Sequence, residues 1–193
     1  MTELHAAFSP SRYLIRRKVF KLFGGAFHIY AEDERTVCFY AEQKAFRFKE
    51  EFTVFGDEAM AQPLLRIQAR QVLDLGATYD ITDAVGGQKV GAVRRKALAS
   101  ILRDTWEVLD TNDNVVGTFG EDSNALLRRF IPLLLGHWHM EVGGSTVAKV
   151  DQVFRFFTKE FGLTISDNRK VDPRLAIGCA MLALMRELMR EAR

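Results

Sequence analysis

The stretch Asp172-Pro173-Arg174-Leu175-Ala176-Ile177-Gly178-Cys179-Ala180-Met181-Leu182-Ala183-Leu184-Met185 decides how the rest of this chain must fold. Asp172 can cap a helix N-terminus, and Pro173 suits the first helical position, where its missing N–H costs nothing. A helix is expected from residue 173 to residue 190. From Leu175 to Met185 every residue is apolar or small, so the coiled segment has no polar face to turn toward water. The run is about half the length of a bilayer core, which takes about 20 residues to cross. The reading is therefore a buried helix rather than a membrane span. Such a rod is stable in water only if the preceding chain encloses it. Met181, Met185 and Met189 recur at helical spacing and read as core filler.

Outward from that helix the chain reads as short strands joined by tight turns. Residues 1–11 lack periodicity and are expected to be a flexible tail, with a single domain from residue 12 to residue 193. Arg12 to Phe23 is rich in β-formers, Gly24-Gly25 permits a tight turn, and Ala26 to Tyr30 returns as the second arm of a hairpin. The charged run Glu32 to Arg35 turns into Thr36 to Tyr40. Phe46, Phe48, Phe52 and Val54 continue a strand-like pattern, and Pro63 opens a strand over Leu64 to Val72. Two similar units follow. Tyr79-Asp80-Ile81-Thr82-Asp83 leads through Gly86-Gly87 to Lys89-Val90-Gly91, and Trp106-Glu107-Val108-Leu109-Asp110 leads through Asn112-Asp113-Asn114 to Val115-Val116-Gly117. Tyr79 and Ile81 share one face and Asp80 and Thr82 the other, as in a strand with one packed side and one wet side. Asp122 or Ser123 can cap a short surface helix that Pro132 terminates. Strands resume with Trp138, Met140 and Val142, then Thr146 to Phe154, then Phe161, Leu163 and Ile165. About a dozen strands are expected, closed around the helix.

Composition narrows the function classes. Of 193 residues, 48% are hydrophobic and 27% charged, enough for one substantial core. The net charge of +2 and pI near 8.6 demand neither nucleic acid nor an anionic membrane as partner. Cys38 and Cys179 are too few for a disulfide scaffold, which fits a reducing, cytoplasmic setting. No apolar stretch reads as a secretion signal or a membrane span.

The paired units, the basic run Val93-Arg94-Arg95-Lys96, the strand Arg103-Asp104-Thr105-Trp106-Glu107, the segment Leu126 to Ile131 and the apolar C-terminal helix together resemble the LURP-one-related family, which is similar to tubby C-terminal domains and phospholipid scramblases. The resemblance runs from about Tyr13 to Leu188 and lies in the order of the elements. It implies a β-barrel of about twelve strands around a central hydrophobic helix. Tubby domains bind phosphoinositide headgroups through basic side chains on the barrel exterior, and scramblases are attributed calcium-dependent lipid movement. The cysteine-rich palmitoylation segment and proline-rich N-terminal region of scramblases have no counterpart in this sequence.

The candidate site residues are two basic clusters, Arg16, Arg17, Lys18 and Lys21, and Arg94, Arg95 and Lys96. They could neutralise the phosphates of an anionic headgroup or of nucleic acid, the second less favoured because a dedicated nucleic-acid binder shows a pI above about 9 and a clear basic stripe. The plain alternative is solvated strand and turn surface, because neighbouring strand side chains point to opposite faces. Asp110-Thr111-Asn112-Asp113-Asn114 with Glu121 partly matches a calcium loop, but the sixth position is Val115 where glycine is needed; a polar turn explains the same residues. His137 and His139 share a strand face without further ligands placed to complete a metal set. Gly86 to Gly91 lacks the Gly-Lys-Ser/Thr of a phosphate loop, and no G-x-S-x-G elbow or Cys-His pair is present. No cofactor, metal or catalytic residue is expected. The leading reading is a non-enzymatic domain that binds anionic phospholipid headgroups or a related phosphate ligand, cytoplasmic and peripheral at the membrane. A protein-interaction or structural domain, or an unrecognised enzyme, are the alternatives.

Overall fold

The structure is a computed structural model and describes residues 4–20, 24–44, 51–70, 77–96, 105–122, 135–155 and 158–191. The described residues form twelve strands and one α-helix. The strands are β1 (Arg12–Phe20), β2 (Gly24–Tyr30), β3 (Val37–Lys44), β4 (Glu51–Phe55), β5 (Pro63–Ala69), β6 (Thr78–Asp83), β7 (Lys89–Arg95), β8 (Thr105–Leu109), β9 (Val115–Glu121), β10 (His137–Val142), β11 (Ser145–Val153) and β12 (Lys159–Ile165), followed by α1 (Pro173–Glu191). Every strand pairs antiparallel with its sequence neighbours, and β1 pairs with β12, so the sheet closes into a barrel. Closure removes the exposed edges that a twelve-stranded open sheet would carry.

Burial alternates along the strands because every second side chain points inward. On β6 the buried residues are Tyr79, Ile81 and Asp83, and on β12 Phe161, Leu163 and Ile165 lie inside. α1 fills the lumen. Leu175, Ile177, Met181, Leu182, Leu184, Met185 and Leu188 are all buried in the common core, and at about 1.5–3 kcal/mol each they contribute on the order of 10–20 kcal/mol as an upper bound. The expectation that the apolar run must be enclosed is met: no residue from Leu175 to Met185 reaches the surface.

The strand directions give the barrel two unlike ends. Connections after even-numbered strands close the end where α1 enters; connections after odd-numbered strands close the end where α1 leaves. At the entry end Asp172 caps the helix, its Oδ1 accepting from the Arg174 N–H at 2.9 Å. Arg174 then reaches across the barrel wall, donating to Asp83 at 2.6 Å and to Asp172 at 2.6 Å. At the exit end Leu188 packs where a side chain on Gly25 would meet it at 2.8 Å. The Arg186 guanidinium lies 5.3 Å from the centre of the Trp106 ring.

The Val-Gly ending shared by the two similar units has a steric cause. A Cβ on Gly91 would stand 2.6 Å from the Leu109 carbonyl oxygen and 3.1 Å from Leu175, and one on Gly117 would stand 2.0 Å from the Glu141 carbonyl oxygen. Only glycine lets these strands approach.

Two expectations are corrected. Gly24 and Gly25, read as the turn of the first hairpin, pair with Phe20 and Val19 as the start of β2. Part of the segment read as a flexible tail is packed: Ala6–Phe8 forms a 3-10 turn, the Phe8 ring lies 4.9 Å from Phe39, and the Tyr13 hydroxyl donates to the Ala7 carbonyl at 3.0 Å. The aromatic Phe8 supplies burial that a periodicity search over eight residues does not register. The expected surface helix from Ser123 to Ile131, and Phe46 and Phe48, lie outside the described residues.

Candidate functional site

The strand period divides the two basic clusters. On β1, Arg16 and Lys18 face outward, while Arg17 pairs in register with Phe27 and is buried. On β7, Arg94 faces outward opposite Glu107, and Arg95 pairs with Trp106 on the inner face. Lys96 follows the strand, half-buried. Lys21 lies outside the described residues. The seven residues therefore do not share one face, and Arg17 and Arg95 are withdrawn from any exterior headgroup site.

The outward arginines are engaged. Arg16 donates through Nε to Glu160 at 2.9 Å and lies 3.6 Å from Glu34, with its guanidinium 4.9 Å from the centre of the Tyr30 ring. Glu160 is buried on the outer face and also accepts from Arg155 at 3.2 Å. Burial alone would raise the Glu160 carboxyl, yet the two guanidiniums hold it below its ordinary value. Arg94 donates to Glu107 through two nitrogens, at 2.8 and 2.6 Å, and Lys96 stands 3.7 Å from the same carboxylate. Lys18 differs: it is exposed and pairs with no carboxylate among the described residues. Its charge reaches His28, a buried ring on the outer face beside Tyr40, whose protonation is disfavoured first by burial and then by Lys18.

The clusters nonetheless share a location. Arg94 and Arg95 end β7 and Lys96 follows it, whereas Arg16 is the fifth and Lys18 the seventh of the nine residues of β1; both strands run toward the helix-exit end. In a ring of twelve strands β1 and β7 are six places apart, on opposite walls. Lys18 and Lys96 thus lie toward the helix-exit end, while Arg16 sits mid-strand within 3.6 Å of Glu34, which belongs to the connection at the entry end.

The remaining candidates resolve as structure. Asp110 accepts from the N–H of Asn112 and Asn114 and from the Asn114 side chain, at 2.8, 2.9 and 3.0 Å, which is the bonding of a turn. Asp113 accepts from Arg70 at 2.5 Å and Lys89 at 2.6 Å, and these two cations bring its carboxyl down to about 2. His137 pairs with Asp151 at 2.7 Å and His139 with Asp122 at 2.6 Å. No cluster of three or more His, Cys, Asp or Glu suited to a metal is found among the described residues. Burial pushes the Cys38 and Cys179 thiols up, away from the reactive thiolate. Sequence reasoning missed Glu160, Glu107 and Asp83 as partners of the arginines, because pairing across strands depends on register, which the residues themselves do not display.

A closed antiparallel barrel threaded by an apolar C-terminal helix defines the class. The LURP-one-related family model matches residues 37–183, well over half of the chain. The chain belongs to the LURP-one-related family. A protein from Arabidopsis thaliana solved by X-ray crystallography is similar in fold, with a TM-score of 0.51 and 13% sequence identity over 93% of this chain and 92% of that one. No curated protein matches the chain. Among the described residues no helix is long and apolar enough to cross a membrane.

Proposed function

We propose that this domain is a non-enzymatic, peripheral binder of anionic phospholipid headgroups on the cytoplasmic side of a membrane. The observation that supports the reading is that outward-facing cations of both clusters, Lys18 on β1 and Arg94 on β7, lie toward the helix-exit end. They stand on opposite walls of a barrel that encloses a helix about 10–12 Å across with its side chains. A single soluble phosphate cannot touch both from outside, whereas a sheet of headgroups can. Lys18, exposed and without a carboxylate partner among the described residues, is the strongest single contact. Juxtamembrane cations are worth about 1 kcal/mol each at an anionic surface, so a few suffice for reversible docking. Among the described residues the protein-interaction alternative has no comparable focus. The exposed large apolar residues Leu4, Met60, Val85, Val115, Val116 and Phe154 fall on five separate segments.

Flotation with liposomes tests the proposal. Vesicles of phosphatidylcholine with phosphatidylserine or a phosphoinositide should carry the protein upward, and binding should weaken as salt shortens the Debye length below about 10 Å. Free inositol phosphate at matched concentration should compete poorly. Equal recovery with neutral and anionic vesicles rejects the reading, and full competition by the soluble headgroup replaces the membrane surface with a single-ligand site.

A further inference from the structure

Two of the chain's four histidines touch the same piece of surface. The connection from β4 to β5, residues 56–62, is braced within itself. The Gly56 N–H donates to the Gln62 carbonyl at 2.8 Å, and the Asp57 carboxylate accepts from the N–H groups of Ala61 and Gln62 at 3.2 and 3.0 Å. Such a closed loop can move as one body. It meets the rest of the molecule at two imidazoles: His28 on β2, whose Nε2 lies 3.2 Å from Glu58 Oε1, and His5, whose Nε2 lies 3.3 Å from Gln62 Nε2.

The seam beside this loop has the shortest pairing in the barrel. β2 and β3 pair in register from Gly24 with Lys44 to Tyr30 with Val37, and β4 and β5 from Glu51 with Gln68 to Phe55 with Pro63. Among the described residues β3 and β4 pair only at Tyr40 with Phe55, the residue from which the loop departs. Glu58 therefore reaches from the β4 side past β3 to His28 on β2 and spans that seam.

His28 points outward yet is 3% exposed. Tyr40 packs edge-on at 4.9 Å, Tyr30 stacks at 6.3 Å, and Glu58 of the loop stands against the ring. Facing it are two cations of β1, Arg16 in register with it and Lys18, and on β3 Tyr40, which is hydrogen-bonded to Glu42. Arg16 is already matched by Glu160 and Glu34. A proton on the ring adds a further cation to this wall, and the carboxylate nearest to it, Glu58, is 61% exposed, so water weakens their attraction. Nδ1 has no hydrogen-bond partner among the described residues, so the protonated ring would hold a buried N–H without an acceptor. His5 accepts the Ala7 N–H at Nδ1, at 3.3 Å, and it can do so only while that nitrogen carries no proton.

We infer that residues 56–62 form a proton-released flap: neutral His28 and His5 keep it closed, and protonation frees it, uncovering the outer wall at the β3–β4 seam. The device works whatever the domain binds. Its direction follows from the surroundings of His28, where burial first and then Lys18 hold the proton affinity below its ordinary value, against the pull of Glu58. The closed form is therefore complete above the ordinary imidazole value of 6.5 and is lost as pH falls through the lower value of the folded protein.

Solution NMR of the full chain, titrated from about pH 7.5 to about pH 5 across the imidazole range, tests the flap. The His28 Cε1 proton should titrate below 6.5. The backbone amides of Glu58 and Met60 should shift or broaden with the same midpoint, while those of Ile81 and Val93 stay fixed. Lys18→Gln should raise that midpoint by roughly half a pH unit, and Glu58→Gln should lower the His28 midpoint by a similar amount. His28→Gln should remove most of the loop's response and His5→Gln the remainder; if either variant fails to fold, wild type and Lys18→Gln still decide. The inference falls if His28 titrates and the loop amides do not follow, if those amides gain protection in acid, or if His28 stays neutral until the whole chain unfolds. No vesicle is present, so the result is separate from that of flotation.

Discussion

Arg174 shows how one side chain joins the two halves of this architecture. Its guanidinium bonds Asp172, which caps α1, and Asp83, which ends β6 and also accepts the N–H of Val85 and Gly86 at 2.8 Å each. Burial would raise the Asp83 carboxyl, but those two N–H groups and Arg174 hold it below its ordinary value. Replacing Arg174 with Ala leaves an acid of 12% side-chain exposure without its cation, at a cost of about 2–4 kcal/mol. Chemical denaturation at pH 7 should show it. The pH dependence has a definite sign. A depressed folded pKa means that the Asp83 contribution is complete above the unfolded value near 3.9 and is lost as pH falls through the lower folded value. Asp83→Asn should therefore be less stable than wild type at pH 7, and the gap should shrink below about pH 4. A gap that widens in acid would show that Asp83 is not held in its charged form.

At the scale of elements, the agreement between α1 and its barrel is where the sequence was most legible. A helix with no polar face has one solution in water, so Leu175 to Met185 announced its own burial. Leu182, 2% exposed, is the test: Leu182→Asp should cost more than about 4 kcal/mol and leave little folded protein, whereas Arg66→Asp on the wet face of β5 should stay within about 0.5 kcal/mol. Equal thermal shifts would contradict enclosure. What the sequence hid was the closeness of the fit. The repeated Val90-Gly91 and Val116-Gly117 were visible, but the carbonyls of Leu109 and Glu141 that exclude a Cβ there come from strand crossing. Gly178 is a third close approach, since a Cβ would lie 2.7 Å from the Ile81 Cδ1. Alanine favours helix by about 1 kcal/mol over glycine, yet overpacking costs about 1–3 kcal/mol, so Gly178→Ala should be net destabilising. Ile81→Val removes the offending methyl group. In a double-mutant cycle the pair should be less destabilised than the sum of the single changes, and strict additivity would show that Ile81 is not the obstacle.

For the whole molecule the basic residues were easy to pick out and their arrangement was not. Lys18 and Arg94, the nearest members of the two basic runs, are 76 residues apart, and nothing in either run reveals that closure of twelve antiparallel strands brings both toward the helix-exit end. Nor could it reveal that Glu160 and Glu107 already hold the outward arginines, because register is a property of the assembled sheet. The consequence is that charge at the exit rim should matter and the same charge elsewhere should not. Lys18→Glu and Lys170→Glu change the net charge equally, from +2 to zero. Lys18 lies at the exit rim, and Lys170, 48% exposed in its side chain, lies in the connection that feeds α1 at the entry end. If the bilayer responds to total charge alone, both variants should lose affinity for phosphatidylserine vesicles alike. If it meets the end where Lys18 lies, Lys18→Glu should bind about thirtyfold more weakly, since one favourable cation is replaced by a repelled anion at about 1 kcal/mol for each charge near the surface. Lys170→Glu should remain within about twofold of wild type. Raising the salt to about 1 M, where the Debye length is about 3 Å, should erase the difference between them, because the distinction is electrostatic and neither substitution touches the core.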